Sequence, residues 1–128
     1  MININLKVDD NNIIKELTIS GHSGFTNKGN DPLCAGVSTL AYSLLFSLEN
    51  IPNVDYIFND NEDSEIERER WGGEKRSGKE SGFSITLLSY NNMVASEIRG
   101  VTIFFVCGIK ILGDNFKKCI TFNIEGVK

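Results

Sequence analysis

MVASEIRGVTIFFVCGIKIL, residues 93–112, decides how this chain is built. From Val101 onward it is rich in β-branched and aromatic residues, which favour strands. Yet the run is long for one strand, and no turn signal divides it. Length therefore predicts a helix over residues 90–112, ended by Gly113, Asp114 and Asn115 with Gly113 at the C-cap. A long helix here leaves CITFNI, residues 119–124, as a closing strand with Ile120, Phe122 and Ile124 facing inward.

Upstream, FSITLL (83–88) sets Phe83, Ile85 and Leu87 against Ser84, Thr86 and Leu88, and VDYIF (54–58) reads as a short strand. Between them, residues 59–82 are charged and contain four glycines. Such a run predicts a solvated, flexible loop or a long hairpin tip, with Trp71 as a core anchor within it. Leu33, Val37, Leu40, Leu44 and Leu48 recur at helical spacing, Ala41 and Leu45 widen the stripe, and Asn50 and Pro52 supply the stop. This stretch, between Asp31 and Glu49, is uncharged, but its Ser38, Thr39, Tyr42, Ser43 and Ser47 make it a buried helix and not a membrane span. The chain opens with MININLKV, whose Ile2, Ile4, Leu6 and Val8 alternate with polar residues. Asp9–Asn12 are turn residues, and IIKELTIS follows as a second strand with Ile13, Leu17 and Ile19 on one face. The order β-β-α-β-β-α-β predicts an α+β fold: a mainly antiparallel sheet with two helices packed on it.

The whole chain, 1–128, reads as a single domain, long enough to bury a core. A net charge of −4 argues against a protein that grips nucleic acid through its backbone. The start shows no charged region followed by an apolar run, and the three cysteines, Cys34, Cys107 and Cys119, lack disulfide-like spacing. A reducing, cytoplasmic setting is the expectation.

The chemistry concentrates in GHSGFTNKGNDPLCAG, residues 21–36. It holds four glycines, Cys34 and the chain's one histidine, His22. Asp31 is a favoured N-cap and Pro32 a favoured first helical residue. Cys34 then falls in the first turn, where unpaired N–H groups and the helix dipole favour an anion. The thiolate is the nucleophilic form of cysteine. His22 leaves the second strand just before the loop that leads back to Cys34, so the two can lie side by side. Cys–His is an activated-nucleophile pair, with the imidazole taking the thiol proton and passing it to the leaving group. Gly21, Gly24 and Gly29 permit backbone angles that other residues resist. Ser38, four residues after Cys34, shares its helix face. Asp31 reads as a cap before it reads as a third catalytic member. No cofactor is called for: one His, one Cys and one Asp lack zinc-like spacing, and no G-K-[ST] follows the glycines to cradle phosphate. Cys107, in a dense apolar helix, and Cys119, opening an inward-alternating strand, should be shielded.

The same stretch resembles the signature of the ribosomal-processing cysteine protease family, Prp. The matching residues are Gly21-His22-Ser23-Gly24, Gly29, Asp31, Leu33-Cys34-Ala35 and Val37-Ser38. The likeness runs more loosely over the whole chain, and it favours the helix at 90–112. It implies a bacterial hydrolase, a Cys–His endopeptidase that removes a short N-terminal extension from large-ribosomal-subunit protein number twenty-seven. The cut falls after an aromatic pair and before a small residue. It also implies a homodimer, with Cys34 as nucleophile and His22 as base. Gly21, Gly24, Gly29, Asp31 and Ser38 match family positions as supporting or substrate-binding residues. Phe25 or Tyr42 could line an apolar pocket for the aromatic residues. The competing reading is a non-catalytic module that binds a peptide or ribosomal protein, with Cys34 merely structural. A thiol redox or acyl-transfer enzyme using the same pair is a third.

Overall fold

The computed structural model describes residues 1–21, 32–60 and 82–127. The chain forms β1 (Ile2–Val8), β2 (Ile14–Gly21), α1 (Pro32–Asn50), β3 (Val54–Asp60) and β4 (Phe83–Tyr90). A short 3-10 turn (Asn92–Val94), α2 (Ala95–Asn115) and β5 (Ile120–Gly126) complete it. The five strands make one sheet in the order β3-β4-β2-β1-β5. All neighbours are antiparallel except β1 and β5, which run parallel from Ile2↔Ile120 to Val8↔Gly126. The α+β expectation therefore holds, and the segment 93–112 is helical.

The alternation in β1 sets the layers. Ile2, Ile4, Leu6 and Val8 are buried, while Asn3 and Asn5 are exposed. The buried face meets Leu33, Val37, Ala41, Leu44, Leu45 and Leu48 of α1 and Ile98, Phe105 and Ile109 of α2 in one core. Each of these side chains larger than Ala41 contributes about 1.5–3 kcal/mol when fully buried. The helices cross closely through two small residues: Gly36 faces Leu112, and Gly108 faces Leu40.

The β1–β2 turn differs in one detail from simple alternation. A register shift at Lys7/Val8 pairs Val8 with Ile14, so Ile13 and Ile14 are both buried. The turn itself follows from its residues: the Asp9 carboxylate accepts the Asn11 and Ile13 amides at 2.8 and 3.1 Å, and Asn12 takes a φ of 60°. Thr102 of α2 is buried against this corner. Its hydroxyl accepts the Ile14 amide at 3.3 Å and donates to the Ile98 carbonyl at 2.8 Å.

Four expectations are corrected. Gly113 lies inside α2, which runs to Asn115 and is capped by Phe116, whose amide donates to the Leu112 carbonyl at 2.8 Å. The left-handed residue that turns the chain is Lys118, with φ of 70°. Ile124 shares the inward face of β5, but this edge strand extends past the helices and leaves it 47% exposed. Cys107 is exposed, because it falls on the outer face of α2. Asn59 and Asp60, assigned by charge to the 59–82 segment, complete β3 against Ser84 and Phe83. Trp71 and residues 61–81 lie outside the described residues.

Candidate active site

The end of β2, the start of β4, the end of β3 and one face of α1 enclose a cleft. Ile19, Ser20, Gly21, Val37, Ser38, Ala41, Tyr42, Asp60, Gly82 and Phe83 line it. The sheet opens here for a reason visible in the pairing. The β2–β4 ladder ends at Ile19↔Phe83, so Ser20 and Gly21 project past it.

Among the described residues of this rim, Gly21 is the position where backbone conformation excludes other residues. Its φ is +86°, and a Cβ there would overlap the Met1 carbonyl oxygen. β2 ends at this residue, immediately before His22 in the sequence. Gly82 comes close as well: a Cβ would stand 2.9 Å from the Ile19 carbonyl oxygen.

α1 supplies the facing wall. Cys34 is its third residue, half-buried and packed against the core. Ser38 and Tyr42 follow at intervals of four, so the three occupy one row along the helix. Cys34 lies one turn before the part of the row that lines the cleft, about 6 Å along the axis from Ser38. At the far end the Tyr42 hydroxyl donates to the Asp60 carboxylate. The Tyr42 ring stands edge-on to Phe83, centroids 5.3 Å apart, and to Phe58 at 6.1 Å. Phe58 and Phe83 are themselves 5.1 Å apart. Asp60 is the one carboxylate among the described lining residues.

Of the residues singled out from sequence, Gly21 and Ser38 thus share a cleft, with Cys34 a turn beyond. His22, Gly24, Phe25, Gly29 and Asp31 lie outside the described residues. Tyr42, expected as a possible pocket wall, lines the cleft. Asp60 and Phe83 were not foreseen. Asp60 was hidden in a charge run, and Phe83 was read only as a core residue. Among the described residues no group of three His, Cys, Asp or Glu side chains could hold a metal ion.

A thiol at a helix start, a hydroxyl on the next turn and an aromatic-walled cleft suit a covalent reaction on an extended chain. The comparison that decides the class is by sequence: the family described as cysteine protease Prp matches residues 1–121. The chain belongs to the Prp cysteine protease family. It is therefore a cysteine protease. Solved structures agree in fold. The ribosomal processing protease Prp from S. aureus, in complex with a covalently linked product peptide, superposes with a TM-score of 0.74 at 16% identity. That match covers 98% of this chain and 100% of the other. The same S. aureus protease with a substrate peptide gives 0.66 at 14% identity, again over 98% and 100%. A Streptococcus mutans protein gives 0.70 at 23% identity, over 99% and 96%. No curated protein matches the sequence.

Proposed function

We propose that this Prp-family protease is a ribosomal-processing endopeptidase. It cuts a short N-terminal extension from large-ribosomal-subunit protein number twenty-seven, in the cytoplasm, with Cys34 as nucleophile and His22 as general base. The observation that carries this reading is the place of Cys34. It sits in the first turn of α1, one turn before the cleft-lining Ser38, in a fold shared with a ribosomal processing protease bound to its peptide product.

The chemistry follows from those groups. His22 takes the thiol proton, and Sγ attacks the peptide carbonyl carbon. The carbonyl oxygen becomes an oxyanion, for which the backbone N–H groups in the first turn of α1 are the candidate donors. Collapse breaks the C–N bond as His22 returns the proton to the departing amine. Water, activated by the same imidazole, then hydrolyses the thioester and restores the thiol. Ser38 lines the cleft one turn on, placed to hydrogen-bond the bound peptide. Gly24, Gly29 and Asp31, which stand between base and nucleophile in the sequence, serve as supporting or substrate-binding residues.

The working unit is a homodimer. Its support is an apolar stripe on α2, where Ile103, Phe104 and Ile111 are 50%, 69% and 60% exposed. Beside it runs a groove between the helices lined by Leu40, Leu44, Val101, Phe104 and Phe105.

A synthetic peptide spanning the extension and its cut site tests the reading. Wild type should cut it once under reducing conditions, whereas Cys34→Ala and His22→Ala should not, and Cys34→Ala should still bind it. Binding without cleavage by wild type would leave a peptide-binding module. Cleavage by both variants at the wild-type rate would place the chemistry elsewhere.

A further inference from the structure

The proposed reaction assigns no role to the far end of the cleft, where an acid from the sheet meets a phenol from the helix. We propose that Asp60 is a positioning residue for substrate selection: by accepting the Tyr42 hydroxyl, it locks the Tyr42 ring as a fixed wall against which the peptide is read. This deepens the peptidase reading and rests on it.

The geometry gives three supports. First, Tyr42 lies eight residues after Cys34 on the same helical row, about 12 Å along the axis. An extended peptide covers that distance in about four residues. A ring at this place meets the substrate within four residues of the attacked bond. Second, the helix fixes the Tyr42 backbone but not its ring. The edge-on neighbours Phe58 and Phe83 supply shape without fixing the hydroxyl end. Asp60 supplies that fixed point from a different element, the last residue of β3, so the bond ties α1 to the β3–β4 pair. Third, a hydrogen bond to a carboxylate is stronger than one between neutral groups. It is therefore suited to hold a side chain that lines a cleft and not the core. A wall ordered before binding leaves less freedom to be lost when peptide arrives.

The test is a pair of peptides, one with large aromatic side chains in the four residues preceding the cut and one with alanine there. Binding is measured by anisotropy of labelled peptide on the Cys34→Ala protein, and cleavage on the otherwise native enzyme. Tyr42→Phe and Asp60→Ala should each weaken binding of the aromatic peptide about three- to tenfold and narrow its advantage over the alanine peptide. KM should rise with kcat nearly unchanged. Asp60→Asn, which still offers an acceptor oxygen, should recover most of the loss. The double variant should be no worse than the worse single one, because both break one link. Unchanged discrimination in Asp60→Ala, or independent addition of the two effects, overturns the proposal. If Asp60→Ala does not fold, Tyr42→Phe carries the test alone, since it keeps the ring and loses only the hydroxyl; normal discrimination by it is then decisive against. Discriminating binding without any wild-type cleavage would sink the peptidase reading and leave this one standing. Cleavage with discrimination untouched by the variants would do the reverse.

Discussion

Gly21 ends β2 with a φ of +86° and its α-carbon turned against the carbonyl of Met1, so closely that no side chain fits between them. The pairing register explains the contact, because Gly21 lies opposite Ile2 at the very start of β1. The first two residues of the chain and the residue before His22 are thus one packing unit. Gly21 takes a backbone angle that other residues resist, and the close approach of the Met1 carbonyl excludes a side chain as well.

Replacing Gly21 should therefore be costly. Gly21→Ala must move backbone, not a side-chain tip, and adopts a left-handed angle as well; about 1–3 kcal/mol of stability should be lost. Gly113→Ala is the contrasting case. It lies inside α2 with nothing within 4 Å of an added Cβ, and should gain about 0.5–1 kcal/mol. Denaturant unfolding of both variants checks this. Destabilisation by Gly113→Ala would indicate a helix that ends earlier, at a glycine cap.

Thiol labelling should distinguish exposure from function. Cys107 is exposed on the same α2 face as Phe104 and Ile111, while Cys34 and Cys119 are half-buried, so Cys107 should react readily with a small alkylating reagent once Phe104→Glu uncovers that face, and more slowly in the dimer. In a Cys107→Ser protein, activity should equal that of the parent, and its loss on alkylation should follow modification of Cys34. Mass mapping of partly inactivated samples reads the outcome. Inactivation that tracks Cys119 instead would remove Cys34 from the proposed chemistry.

The α2 stripe should govern assembly. Phe104→Glu places a charge at the most exposed residue of the apolar row, and Ile111→Lys places one at its other end. Light scattering after size exclusion should show a homodimer for the parent and a monomer for Phe104→Glu, with unfolding midpoints little changed. A Phe104→Glu protein that stays dimeric would move the interface to another face.

Thr102 should be needed for its hydroxyl. Thr102→Val preserves shape but leaves the Ile14 amide without that acceptor in a buried corner. The expected cost is about 1–3 kcal/mol. A loss under 0.5 kcal/mol in equilibrium unfolding would show that water or relaxed backbone replaces the bond.

Much of this protein was readable without coordinates because its signals are local. The alternation of Ile2, Ile4, Leu6 and Val8 needs only the two-residue period of a strand, and the Leu33–Leu48 stripe only the period of a helix. Asp9 builds its turn with amides two and four residues away. The glycines, His22 and Cys34 stand within one short window, which is why the family signature could be found there.

Tertiary structure decided what depends on residues far apart in the chain. The parallel pairing of β1 with β5 joins the two ends of the sequence, and no local pattern specifies it. Cys107 lies in as apolar a run as any core cysteine, yet it is exposed, because only the docking of α2 on the sheet determines which helix face is covered. Ile124 alternates correctly and still meets solvent, because it lies in the far half of an edge strand, beyond the part where Ile120 and Phe122 pack against the core. Asp60 belongs by charge to a solvated run, yet the last rung of β3 carries it to the Tyr42 hydroxyl, eighteen positions away. Periodicity states which side chains share a face; what that face meets is settled only when strands and helices from distant parts of the chain close over it.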